Sequence, residues 1–250
     1  MPRFKSAKAG GTSADPTRYR PPSISELKEL RHAALGYMGL KGGVSQYDAA
    51  MVMGSPRRWW EGMELRNSPR RISFSSWAMI CIFLMGEDPE KFNKGLKGTT
   101  IKRKRKPFNK AAFIRDVKAL DIKNLDCKKD PVRYCPPTRQ EVINLRTKVE
   151  TTDGKELSKA EAAAIVGKTL RWWQRLEQPG TKLDTKLSLG FADYALFRVL
   201  AYGDDPAEYA GGLARMLKQR NTGYQANVHS KLPLSYTSYK KKKQAMKKAA

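Results

Sequence analysis

The sequence predicts an all-α protein built from two tandem copies of one helical unit. Three observations carry this. Helix-capping residues precede apolar residues spaced three and four apart, no stretch sustains an alternating strand pattern, and the caps and stripes recur downstream in the same order. With 250 residues and 40% hydrophobic side chains, the chain can build one large domain or two small ones.

The repeat is read in three collinear stretches. Tyr19-Arg20-Pro21-Pro22-Ser23 recurs as Tyr134-Cys135-Pro136-Pro137-Thr138, and Glu26, Leu30 and Arg31 match Glu141, Leu145 and Arg146 at the same offset of 115. At an offset of 113, Val44 to Glu64 lies over Leu157 to Glu177 with eight identities in twenty-one positions, including Trp59-Trp60 over Trp172-Trp173. At 117, Phe74, Trp77, Gly86, Asp88 and Pro89 pair with Phe191, Tyr194, Gly203, Asp205 and Pro206. The offset changes only between stretches, where loops vary in length. Three collinear matches that include a Trp pair mark a duplication.

Each copy reads as about five helices. Ser23 with Glu26, and Thr138 with Glu141, form capping boxes that open a first helix with the stripe Leu27, Leu30 and Ala34 or Val142 and Leu145. Gly36, Gly39, Gly42 and Gly43 mark a loose connector. A second helix opens at Ser45 with Asp48, or Ser158 with Glu161, and carries Ala49, Ala50 and Val52, or Ala162, Ala163 and Ile165. It ends at Gly54 or Gly167, where a positive φ costs little. A third helix follows almost at once, capped by Thr169 in copy two and by Ser55, with Pro56 in the first turn, in copy one. Trp60 and Trp173 are expected in the core, and Trp59 and Trp172, rotated by about 100°, half-buried. A fourth helix near Phe74–Leu84 and Phe191–Ala201 precedes a short fifth at Asp88-Pro89 and Asp205-Pro206. Two helices broken by a Gly-containing turn make a helix-turn-helix. The expected architecture is therefore two tandem helix-turn-helix bundles: a tail 1–18, unit one 19–96, a connector 97–133, unit two 134–216 and a tail 217–250.

The net charge is +25, and it is not spread evenly. Residues 21–90 and 134–212 are each neutral, whereas 1–20, 91–133 and 213–250 carry +4, +11 and +10. The densest runs are Lys102-Arg103-Lys104-Arg105-Lys106 and Lys240-Lys241-Lys242-Lys243. Such runs are too charged to bury themselves, and three cationic segments flanking two neutral units suit phosphate contacts better than solubility alone. Nucleic acid is the expected partner. No apolar run approaches the ~18 residues of a bilayer span. The connector holds an amphipathic pattern (Phe108, Ala112, Phe113, Val117 and Leu120) that reads as a short helix docking on a module.

Cys81 sits in an apolar run and reads as core, and Cys127 and Cys135 read as reduced thiols of a cytoplasmic protein. The two histidines, His32 and His229, are far apart without a Cys or acid cluster, so no metal site or His-based triad is expected. Ala162 to Thr169 matches a relaxed phosphate-loop pattern but is a strong helix former without the Gly-rich loop. No cofactor and no enzymatic activity are expected. Glu64 and Glu177 recur together and suggest a structural ion pair.

The stretch Leu157 to Glu177 resembles the XRE/Cro/C1 type of bacterial and phage helix-turn-helix domain. The resemblance covers about 55–60 residues of each copy and implies that the third helix enters the major groove of duplex DNA. It implies base contacts from Lys168, Thr169, Leu170, Arg171 and Gln174, and from Arg57, Arg58 and Glu61 in copy one. It also implies a phosphate contact from Gln46 and Lys159 at the start of the second helix. Helical spacing independently places Arg171, Arg175 and Gln178 on one face, away from Trp173 and Leu176, with Arg175 a further phosphate contact. Copy one departs from the pattern at Pro56 and at Gly62 inside its third helix. The expected function is transcriptional regulation by a nucleoid-associated pseudo-dimer or a homodimer of it, in the host cytoplasm if phage-encoded. The alternatives are a coating, architectural, packaging or virion protein, or an RNA-binding one.

Overall fold

The computed structural model describes residues 14–65, 71–96, 101–102, 107–178 and 188–221. Among them it is all-α, with a lone antiparallel bridge between Ile101 and Thr151. In copy one, α1 (Ile24–Ala33), α2 (Gln46–Val52), α3 (Arg57–Glu64) and α4 (Phe74–Met85) lead to a 3-10 segment, Pro89–Leu96. The connector carries α5 (Lys110–Ala119). Copy two runs α6 (Arg139–Thr147), α7 (Lys159–Ile165), α8 (Leu170–Glu177) and α9 (Phe191–Phe197), which continues as a π-helical stretch, Arg198–Tyr202. A 3-10 turn, Pro206–Tyr209, then opens α10 (Gly211–Asn221).

The caps act as the sequence predicts. Ser23, Ser45, Thr138 and Ser158 each accept from the residue three on, whose carboxylate reaches back to the cap N–H. Gly54 and Gly167 close α2 and α7 at φ 61° and 66°. One expectation needs correction. Ser55 does not cap α3: its N–H turns back to the Ala50 carbonyl at 2.9 Å, so Pro56 becomes the N-cap and the helix starts one residue later. The Gly36–Gly43 connector is anchored at its entrance. Leu35 is fully buried in left-handed conformation, its N–H donates to Leu84 O at 2.7 Å, and Tyr37 donates to Phe83 O at 2.7 Å.

The two copies share one continuous apolar cluster. Its centre is α4 against α9. Ala78, Met79, Ile80, Ile82, Phe83 and Leu84 are fully buried, as are Ala195, Leu196, Phe197, Val199 and Leu200, and a helix apolar on every side belongs at the centre of a core. The contacts around this axis are reciprocal. The segment after each Asp-Pro covers the second helix of the other copy, so that α10 packs on α2 and Pro89–Leu96 packs on α7. The segments before the first helices do likewise. The 3-10 turn Pro16–Arg18 lies against α7, and Pro131, its counterpart at offset 115, lies against Gly54 at the end of α2.

The connector is built into this assembly. Phe113 and Val117 of α5 are buried as their spacing predicts, and Phe113 stacks on Phe83 with ring centroids 6.5 Å apart. Cys81 is buried. Cys127 and Cys135, read above as reduced thiols, form a disulfide with Cα atoms 5.6 Å apart. The loop between them folds back on itself, with Cys135 N–H donating to Cys127 O at 3.4 Å, which brings residues eight apart in sequence together. Within that loop the fully buried Asp130 accepts from Arg215 of α10 at 2.5 and 2.7 Å and from Arg133 at 2.5 Å. α10 runs to Asn221, past the expected end of unit two at 216, and its Arg220 donates to Gly43 O and to Asp48 of copy one at 2.7 and 3.1 Å.

A Cβ on Gly212 would stand 2.3 Å from the Met51 carbonyl, so α10 reaches α2 only through a bare backbone. Gly212→Ala is expected to lower the unfolding free energy by about 1–3 kcal/mol. Gly36→Ala, with nothing within 4 Å, should stay within about 0.5 kcal/mol. Urea denaturation of the two variants makes the comparison.

Candidate nucleic-acid interface

The third helix of each copy is amphipathic, and its inner face is fastened in the same way twice. Trp60 and Trp173 are fully buried. Each indole N–H donates to a glutamate four residues on, Trp60 to Glu64 at 2.5 Å and Trp173 to Glu177 at 2.7 Å. The same carboxylates accept a two-pronged guanidinium from the first helix: Arg31 at 3.0 and 3.3 Å, and Arg146 at 2.8 and 3.2 Å. The remaining guanidinium nitrogen of each arginine donates to the carbonyl before the second-helix cap, Val44 O at 3.0 Å or Leu157 O at 2.7 Å. One cluster thus ties together the three helices of a unit. Trp59 and Trp172 are half-buried, each edge-on to its neighbouring Trp at 6.1 Å and 66°.

Burial alone would raise the carboxyls of Glu64 and Glu177. The hydrogen bonds from arginine and tryptophan, with Gln46 added at Glu64, outweigh it and hold both below their ordinary value of 4.5. Gln46 and Lys159, expected at phosphates, face these carboxylates: Gln46 Nε2 donates to Glu64 at 2.7 Å, and Lys159 Nζ stands 3.4 Å from Glu177. The repeated arginine of the first helix was visible in the alignment as Arg31/Arg146. Its pairing with the glutamate needed the fold.

The outer faces differ. In α8, Thr169 is the N-cap, its hydroxyl accepting from Trp172 N–H, and Thr169, Leu170, Arg171, Gln174 and Arg175 are all exposed. In α3, Arg57 and Arg58 are exposed, and Arg57 pairs with the partly exposed Glu61 at 2.6 Å. Lys168 is drawn inward. Its ammonium lies 3.6 Å from Asp193 and 5.3 Å above the Trp172 ring. Asp193 also accepts from Ser75 of copy one at 2.5 Å, and burial pushes its carboxyl up against the pull of Lys168 and Ser75. Lys102 is exposed, with its backbone N–H on Glu150 O at 2.8 Å. Arg103, Lys104, Arg105 and Lys106, and Lys240, Lys241, Lys242 and Lys243, lie outside the described residues.

Among the described residues, no group of three His, Cys, Asp or Glu side chains is placed to hold a metal ion, and no helix is long and apolar enough to cross a membrane. No family model matches the chain, and neither a curated protein nor a solved structure matches it.

Because Glu64 and Glu177 titrate lower in the folded than in the unfolded chain, their contribution is present above about pH 4.5 and is lost as pH falls through the folded values. Glu177→Gln takes its buried charge partner from the largely covered Arg146, which keeps only the exposed Glu156 at 3.8 Å, and is expected to cost about 3 kcal/mol at neutral pH. Thermal unfolding followed from pH 7 to pH 3 should show the gap between wild type and variant closing on the acid side.

Proposed function

We propose that the protein binds duplex DNA through two helix-turn-helix units, α2–α3 and α7–α8, and regulates transcription, with no catalytic role. The observation that carries this reading is the repeated third helix. Its inner face is bolted to two other helices, and its outer face presents Arg58 or Arg171 to solvent at matching positions. A short helix held rigidly from behind, with exposed arginine in front, suits insertion into a major groove, where arginine donates two bonds to guanine. The likeness of Ser158–Glu177 to XRE-type domains points the same way. The +25 charge adds a sequence-independent attraction to phosphate, concentrated outside the two neutral repeats.

That placement of charge also favours a second reading, a packaging or architectural protein that coats nucleic acid with little sequence preference. Selection from a random duplex pool separates the two. A regulator enriches a discrete motif, and Arg171→Ala relaxes preference at one or two positions, at about 1–3 kcal/mol per lost base contact. An unenriched pool, or a motif unchanged by Arg171→Ala, overturns the assignment of α8. Structured RNA outcompeting the duplex overturns the choice of nucleic acid. Affinity should fall on the order of 10³-fold between 50 and 200 mM salt. A chain ending at Asn221 should keep the motif with a shallower salt slope.

A further inference from the structure

Leu170 is one of two large apolar side chains, with Leu65, that stand exposed among the described residues. It occupies the first position of α8 and is 44% exposed. The other apolar residues of the helix are placed differently: Trp173 and Leu176 are buried and Trp172 is half-buried. Leu170 shares a helical row with Gln174, and the adjacent row holds Arg171 and Arg175; all four are exposed. This face bears no carboxylate, because the acid of α8, Glu177, is turned inward onto Arg146 and Trp173. An exposed leucine framed by two arginines and a glutamine fits a partner that is anionic at its rim and offers both hydrogen-bonding edges and an apolar group inside.

The major groove of DNA has that composition, and its apolar group is the C5 methyl of thymine. We propose that Leu170 is a specificity-determining residue that reads a thymine methyl, making α8 selective for a thymine-bearing half-site and for DNA over RNA, whose uracil lacks that methyl. This rests on the reading of α8 as a major-groove helix. Copy one cannot read the same group. At offset 113 the counterpart of Leu170 is Arg57 and that of Gln174 is Glu61, and these two are joined in an ion pair. The two halves of a bound site therefore differ in sequence.

The test uses the full chain and the duplex that it selects, with each thymine replaced singly by deoxyuridine, which removes one methyl and keeps the pairing edge. Wild type is expected to lose about 3- to 5-fold in affinity at one position, the size of one buried methyl group, and little elsewhere. Leu170→Ala should bind the parent duplex correspondingly more weakly and show no further loss at that position. Circular dichroism checks that the variant folds, and Leu170→Met, which retains apolar reach, should keep part of the discrimination. Wild-type affinity unchanged by deoxyuridine at every position, or undiminished discrimination in Leu170→Ala, overturns the role of Leu170 while leaving duplex binding in place. A protein that binds no duplex overturns the reading of α8 itself, and this inference with it.

Discussion

The buried carboxylate at the end of each third helix is the interaction on which the rest of a unit depends. Glu64 and Glu177 are nearly inaccessible to water, and each carries a full charge because an arginine, an indole N–H and a polar group from the second helix converge on it. Removing the arginine strips the main charge partner from a carboxylate in a dry place, which costs far more than an exposed pair is worth. The arrangement also sets geometry. Arg31 and Arg146 span from the first helix to the third while holding the chain just before the second, so the three axes are fixed through one point. Apolar packing alone tolerates sliding; a forked guanidinium between two planar acceptors does not.

Much of a unit was legible in the chain. Four capping boxes, two glycine-ended helices, the buried member of each Trp pair and the docked face of α5 follow from local rules, because each depends on residues within a turn or two of one another. What was not legible depends on distance in space. Periodicity says that Ala49, Ala50 and Val52 face something apolar; it does not say that α10, more than 150 residues on, is the cover. Gln46 and Lys159 stand where a phosphate contact is expected, and the same position reaches the glutamate. Only the closeness of the third helix decides between them. Cys127 and Cys135 have a spacing that suits neither a metal knuckle nor a tight hairpin, and the path of the loop, with Asp130 buried at its centre, unites them.

The two repeats resemble each other most where they are buried and least where they face solvent. The Trp–Trp geometry is the same in both to the degree, and the Tyr19–Phe74 and Tyr134–Phe191 pairs are both edge-on at 77°. Around the shared Arg58 and Arg171, the outer positions Arg57/Leu170 and Glu61/Gln174 have changed charge, shape and hydrogen-bonding character. A scaffold kept constant beneath two different faces allows one chain to address two different surfaces without altering how it folds.

Reciprocal covering of one repeat by the other is the geometry of a two-fold homodimer, in which every contact occurs twice. The Ser75–Asp193 hydrogen bond departs from that bookkeeping. Counting by the repeat offset of 117, two first halves brought together would set Ser75 against Ser76, and two second halves would leave Asp193 facing Ala192 with no hydroxyl to meet it. The bond exists only between unlike halves. Joining the copies in one chain has thus let a buried acid become a mark of pairing, one that favours a first half set against a second half over two like halves.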